Sequence, residues 1–598
     1  MKLNKFLLSA IAAASLTACS DSPEIVDNNK GHWNADGTGY VSLSISMPDN
    51  VGSKGSRANN DIFEKGDDNE YAVKNATLVI FSGDTDDEAS MTIEAAYDLP
   101  LSFTTVGGNG DQIISKGKLT KQIDKITKTY AKALVILNKP TGFEVVNNNT
   151  VKNDLQYNGA TYKGKTFAEF QALKSELEVD VAKGFTMTNA PLTTAKSSST
   201  TAPSSAATTT LATINKENIM PTAEEASNHP AADIYVERSV AKVTVDNNTG
   251  TAPTITTNTN IKYNIDGYVL DNTNSTSYIV RNADETSSWY NLKSKSTSVN
   301  GEDQYRFIGV SSVDGTSVEG KSLYRTYWAK DPNYTNLAGH TGQAKVGLKT
   351  NTTYDTFTSI DKASYCRENT FDVKNQTQEN TTRAILRVQM WTGADGNKGH
   401  TYYMYNDDAT TFTDNLASAA NNIVNSLAGV PSGTTVQEVV LEGLVNGKAK
   451  IKHIKINSSA TEVSDGNIFE SLKNYFGDIT VYTSGYAYYP VLIKHFGDQL
   501  TPWNITDAAK KEWTTQPSAG GIDQIYPNGD SNRDANYLGR YGVVRNNWYE
   551  LSVNKVLRPG SPVINSPSTN PDDELNSYIS VSINILSWAK RKQNVDLQ

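Results

Sequence analysis

Residues 39–47 read GYVSLSISM, with Val41, Leu43, Ile45 and Met47 apolar and Ser42, Ser44 and Ser46 between them. Period two of this kind marks a strand with one buried face. Strand-like runs recur at 76–81 (ATLVIF), 132–137 (KALVIL), 233–245 (DIYVERSVAKVTV), 385–391 (ILRVQMW), 436–442 (VQEVVLE), 479–493 (ITVYTSGYAYYPVLI), 548–556 (WYELSVNKV) and 578–586 (YISVSINIL). Clusters of Gly, Asn, Asp and Pro separate them, as turns do. Helical spacing is rare. It predicts one helix from Phe167 to Leu177 with Thr166 as N-cap, and one from Asp414 to Ser426 with Leu416, Ala420, Ile423 and Val424 on one face. Residues 191–212 are low in complexity and read as a long exposed loop. The pattern predicts an all-β chain of two β-sandwich domains with a few short helices, the boundary falling near 236.

Composition agrees. A chain of 598 residues is too long for one core. Tyr (30) outnumbers Phe (15), and Tyr with Thr favours strands. The formal net charge of −10, without a basic stripe, argues against a nucleic-acid partner.

The first residues look like an export signal. Lys2 and Lys5 precede an apolar run from Phe6 to Ala14, and Leu16-Thr17-Ala18-Cys19 resembles a bacterial lipobox, in which Cys19 is acylated and becomes the first residue after signal cleavage. The expected organisation is a signal at 1–19, a propeptide at 20–57, an N-terminal domain at 58–236 and a C-terminal domain at 237–598. No later stretch is apolar enough to span a bilayer. The remaining cysteine, Cys366, has no partner if Cys19 carries lipid, and reads as a packed residue.

Motifs for chemistry are weak. Gly159–Thr166 and Gly315–Ser322 both fit G-x4-G-K-[ST], but neither follows a buried strand and opens a good helix together, so neither reads as a phosphate loop. The six histidines show no ligand spacing, and the acidic runs at 67–70 and 84–88 lack the calcium-loop glycine and glutamate. No catalytic constellation, metal site or cofactor is expected. Trp328, Trp391, Trp503 and Trp513 offer sugar-stacking platforms for a competing reading, an anchored glycan-binding lipoprotein.

One arginine stands out. Arg57 lies in the soft loop after the first strand and is the only arginine before Arg238. Together with the lipobox, Arg57-Ala58, Val236–Val243 (VERSVAKV), Tyr365–Thr370 (YCRENT) and Val543–Tyr549 (VVRNNWY), in that order, the chain resembles the shaft subunits, or fimbrillins, of the type V pili of Bacteroidetes, nearest to the minor-fimbrium type. It departs from that pattern in the 191–212 run and at about 393–426.

The resemblance implies two transthyretin-like sandwiches in tandem and a structural role. It implies export to the outer membrane as a lipoprotein and cleavage by an arginine-specific protease between Arg57 and Ala58. That cut removes the strand bearing Val41, Leu43, Ile45 and Met47. The vacated groove then takes the C-terminal strand of another copy, for which Ile579, Val581, Ile583 and Ile585 are the candidate inward residues. The two strands share an apolar/polar rhythm, so they can compete for one groove. Four such side chains contribute on the order of 6–12 kcal/mol when buried. Expected partners are further copies and accessory pilus subunits. A tip or anchor component of the same pilus is the alternative within the family.

Overall fold

The structure, a computed structural model, describes residues 32–46, 67–101, 116–194, 208–283, 321–333, 356–370, 376–457, 462–495, 538–539, 541–567 and 579–587, with short strand pieces at 106–107, 113–114, 293–299, 302–305, 317–318 and 348–349. The chain is all-β with a few short helices.

The N-terminal half is built from β1 (Thr38–Ser46), β2 (Ala76–Gly83), β3 (Thr92–Leu99), β4 (Lys116–Asp124), β5 (Tyr130–Leu137), β6 (Met187–Asn189) and β7 (Ala232–Arg238). They form one sheet in the order β3-β2-β5-β6-β7-β1-β4, with Ala212–Thr213 paired to β5. The sheet curls until its ends meet, where the Tyr97 hydroxyl of β3 accepts a hydrogen bond from the Asp124 amide of β4 at 3.0 Å. Its two halves therefore face each other across one core, with Leu78, Ile80 and Val135 opposite Val41, Leu43, Leu119 and Ile234. The outer face is buried too. Val79, Phe81, Leu134 and Ile136 pack under α1 (Phe167–Gln171) and against Ile279 and Val280. That double burial explains why β2 and β5 read as continuous apolar runs while β1 alternates.

The second half supplies β8 (Val240–Asn247), β9 (Asn258–Asp271), β10 (Ser364–Arg367), β11 (Arg383–Thr392), β12 (Tyr402–Tyr405), β13 (Val436–Val445), β14 (Lys448–Ile456), β15 (Ile479–Tyr482), β16 (Tyr486–Leu492), β17 (Asn547–Val556) and β18 (Ile579–Ser587). One sheet runs β10-β8-β17-β18; a second runs from Thr254–Ile255 through β9 and β11 to β16. Val243, Val245, Tyr549 and Leu551 of the first meet Ile265, Leu386, Val388 and Ala487 of the second in a shared core, which makes a sandwich.

Between β11 and β16 the chain inserts a smaller unit. The sheet β12-β15-β14-β13 carries α3 (Leu416–Val424) and α4 (Gly466–Phe476) on one face, around a core of its own with Leu416, Val424, Ile451, Phe469, Phe476 and Ile479. Another short helix, α2 (Ala223–Asn228), lies in the N-terminal half.

Several sequence expectations need correction. The helix expected over 167–177 stops at Gln171, because Lys174–Ser175 pairs with Ser277–Tyr278 and Leu177 is buried in the outer core. The second helix is shorter at both ends, Leu416–Val424. The 191–212 run is not wholly an exposed loop: Leu192–Thr193 pairs with both Thr208–Thr209 and Tyr324–Arg325, and Leu211 is buried. The single run expected over 479–493 breaks at Thr483–Gly485, where Ser484 has φ 52° and a Cβ on Gly485 would lie 2.3 Å from the Met390 carbonyl. The run over 233–245 also breaks, at Ser239, so that β7 belongs to the N-terminal sheet and β8 to the C-terminal one.

Candidate functional site

β1 lies inside its sheet. It runs parallel to β7, with Leu43 opposite Ala232 and Ile45 opposite Ile234, and antiparallel to β4, with Val41 opposite Lys121 and Leu43 opposite Leu119. Val41, Leu43 and Ile45 are buried, as is Ser42 on the other face, whose hydroxyl accepts from Thr120 at 3.3 Å. These three apolar side chains contribute about 5–9 kcal/mol of burial. Residues 214–231 strap the strand from outside. His32 donates to the Ile219 carbonyl, Tyr40 and Met220 exchange backbone bonds at 2.7 and 3.0 Å, and the Ala231 amide donates to the Ser42 carbonyl at 2.7 Å. At Gly39 the strap comes so close that a Cβ would sit 2.8 Å from Ile219. Taking β1 away would bare the backbone edges of β4 and β7 together with Leu119, Ile234 and their neighbours, leaving a slot one strand wide.

Met47, Arg57, Ala58 and Cys19 lie outside the described residues. The chain resumes at Asp67, and there it is locked down. Glu70 is fully buried, and its carboxylate accepts from the Lys242 ammonium at 2.7 Å and from the Tyr365 hydroxyl. Its backbone carbonyl accepts from Arg238 Nε at 3.1 Å, and the Arg238 guanidinium lies 4.6 Å from the centre of the Tyr71 ring. Burial, and then the Glu70 carboxylate, push the Tyr365 phenol well up. Burial pulls Arg238 down to about 10. Lys242 also sits 4.1 Å over the Trp548 ring.

β18 occupies the other end of the story. It pairs antiparallel with β17 alone, at the edge of its sheet, with Ile585, Ile583, Val581 and Ile579 opposite Tyr549, Leu551, Val553 and Val556. A bulge interrupts the ladder between Val553 and Lys555. The two candidate strands therefore sit in different sheets: β1 is paired on both sides, next to the last strand of the first, and β18 is paired on one side at the edge of the second.

The motifs read from the sequence meet at the junction between the two halves, and their role there was missed. Glu237 pairs with Arg281 at 2.8 Å and lies 3.8 Å from Arg325, all buried. Arg545 lies 3.4 Å from Glu368 and donates to the Tyr278 carbonyl at 2.7 Å. The Asn546 amide donates to the Val240 carbonyl at 2.7 Å, while its side chain accepts from Arg238. Asn546 takes φ 58°, a left-handed backbone that Asn tolerates better than most residues. Charged residues interrupting apolar, strand-forming runs, as in VERSVAKV, were the available signal.

Among the described residues, the groups named for other chemistry serve local structure. Gly159 turns a hairpin, Lys165 pairs with Glu169 at 2.9 Å, and Thr166 caps α1, so that loop serves local structure. Ser317–Val318 and Lys321–Ser322 pair with each other in a hairpin. Asp84 and Asp86 pair with Lys128 and Lys132, and no group of three metal-binding side chains occurs among the described residues. Trp328 and Trp391, expected as stacking platforms, are buried: Trp328 packs beside His495, and Trp391 lies under Lys398 with its indole nitrogen donating to Asp395. Trp503 and Trp513 lie outside the described residues. Cys366 is buried in the second core.

No curated protein matches the chain. Among solved structures, a candidate cell adhesion protein of Parabacteroides distasonis aligns over 93% of this chain and 99% of its own, at 11% identity and a TM-score of 0.33. One of Bacteroides eggerthii aligns over 94% and 98%, at 11% and 0.30. The tip fimbrial protein Mfa3 of Porphyromonas gingivalis, truncated at its C-terminus, aligns over 92% and 100%, at 10% and 0.29. A family model does match: residues 525–594, which include β17 and β18, fit the C-terminal part of fimbrillin, the major fimbrial subunit protein type IV. The segment that holds the last two strands is thus similar to the C-terminal part of a fimbrillin-type subunit, the family that the ordered motifs resembled.

Proposed function

We propose that the protein is a structural subunit of a cell-surface fimbria that polymerises by exchanging strands. It is exported as a lipoprotein acylated on Cys19, cut between Arg57 and Ala58 by an arginine-specific protease, and released from the outer membrane with loss of β1. The slot between β7 and β4 then receives β18 of another copy, with Ile579, Val581, Ile583 and Ile585 taking the places of Val41, Leu43, Ile45 and Met47. Each subunit thus offers one slot and one strand, and the polymer extends from both ends, as a shaft requires.

One observation carries this reading: the strand upstream of Arg57 is paired on both sides, so that its removal leaves a gap within a sheet, while the last strand holds only an edge. A bare slot is an aggregation hazard, so cutting and filling must be coupled. Main-chain ladders on both sides add to side-chain burial, as in other strand-addition complexes. The assembled fibre supports adhesion and contact with other cells.

The test is the mature N-terminus of protein taken from fibres. Ala58 is expected, and Arg57→Ala is expected to leave a lipidated monomer. Fibres assembled from chains that still begin at Cys19 would sink the proposal.

A further inference from the structure

Leu444 and Val445 end β13 at the tip of the β13–β14 hairpin and are 54% and 69% exposed. They are sequence neighbours, and no other adjacent pair of large apolar side chains among the described residues stands out in this way. The tip itself is held firmly. Asn446 and Gly447, with φ 51° and 73°, form the two-residue turn that matches hairpin twist. The Gly447 carbonyl accepts from the Val481 amide at 2.8 Å. Gly447 also lies against Pro562, where a Cβ would come within 2.3 Å of Pro562 Cγ and 3.3 Å of Val563 Cγ1. Leu444 and Val445 thus stand exposed at a firmly held tip whose turn rests on Pro562 and Val563.

That tip borders the segment that leads to β18. The Tyr489 hydroxyl donates to the Arg558 carbonyl at 3.0 Å and accepts from the Gly560 amide at 2.9 Å. The Tyr482 hydroxyl donates to the Gly560 carbonyl at 3.1 Å, Tyr488 and Ser561 form a bridge, and Arg383 Nη2 donates to the Asn565 carbonyl at 2.8 Å. Fourteen residue steps separate Asn565 from Ile579. Fully extended, they reach at most about 50 Å. Whatever domain receives β18 is therefore tethered within about 50 Å of Asn565, on the segment against which the hairpin turn rests.

We propose that this tip seats the N-terminal domain of the next copy of this chain in a filament. The inference rests on the strand-exchange reading above and adds a second contact to it. An inserted strand fixes the connection between two subunits but leaves their relative orientation to the tether. The tip contact fixes the orientation. A second copy is the favoured occupant because the tether keeps it within reach of the tip at high effective concentration, which no freely diffusing partner matches. An apolar tip exposed on a short-lived monomer and covered in the polymer also fits the rule that lasting exposed patches mark interfaces.

The experiment places the photo-crosslinker p-benzoylphenylalanine at Val445 in the full chain and irradiates assembled fibres. The expected product is a ladder of covalent oligomers whose cross-linked peptides come from residues 58–236 of the neighbour. Fibres that form with Ala58 at their N-termini yet give no such peptides, or cross-link at Val445 only to another protein, overturn the tip contact and leave strand exchange standing. Fibres that form from the Arg57→Ala chain overturn both. As a second arm, Leu444→Asp with Val445→Asp changes only exposed positions, so folding is preserved. It is expected to give fibres several-fold shorter after shearing, and unchanged lengths overturn the proposal.

Discussion

The Glu70 carboxylate and the Lys242 ammonium lie 2.7 Å apart, and both side chains are buried. Glu70 comes from the start of the N-terminal half, whereas Lys242 belongs to β8 of the C-terminal half. Removing one partner leaves the other charge buried and uncompensated. Glu70→Ala is expected to destabilise the protein by about 3–5 kcal/mol. Urea unfolding of the precursor measures this, and a loss under 1 kcal/mol would show that the pair is not what couples the halves.

Leu43 is buried between β7 and β4 in the precursor. Leu43→Ala is expected to cost the precursor about 2–5 kcal/mol. In a fibre built as proposed, β1 is gone, so the same substitution should leave the dissociation temperature of mature fibres unchanged. A matching loss in fibres would mean that β1 is retained.

Glu88 predicts a pH dependence. Its half-buried carboxylate accepts from the Thr210 and Leu211 amides, yet desolvation dominates and pushes it from 4.5 up to about 6. The folded state therefore holds this proton more tightly than the unfolded chain does. The stabilisation is full below pH 4.5 and is lost as pH rises through 6, a change of about 2 kcal/mol. Glu88→Gln should flatten the stability profile between pH 4.5 and 7. A profile with unchanged slope would assign that slope to other groups.

Cys366 is buried in the second core, and burial pushes its thiol up to about 12. Iodoacetamide at pH 8 should label it only after unfolding. Rapid labelling of the folded protein would mean that β10 opens readily.

Much of the architecture was legible from period and turn chemistry. The alternation of Val41, Leu43 and Ile45 announced a strand with one apolar face, and the runs at 76–81 and 132–137 announced strands, though that both their faces are covered came only from the packing. Long-range competition was not legible. Helix spacing from Phe167 onward was genuine, but Lys174–Ser175 found a strand partner a hundred residues away at Ser277–Tyr278. Similarly, α4 went unread because its apolar positions, Phe469, Leu472 and Phe476, are spread thinly among polar ones. The role of the conspicuous polar motifs was hidden for another reason. Glu237, Arg281, Glu368 and Arg545 are far apart in sequence, and only the junction brings them together.

The break at Ser239 has a mechanical consequence. β7 flanks β1, the strand whose place a neighbour's strand would take in the proposed exchange, and one residue later the same backbone continues as β8, which runs beside β17. Tension applied to a filament would enter through the ladder on β7, cross Ser239 along covalent bonds, and leave through β17 toward the outgoing strand. The load would pull these ladders in shear, many hydrogen bonds at once, rather than peel them apart singly. The ion pairs of Glu70, Glu237 and Glu368 lie around that crossing and would resist a pivot there.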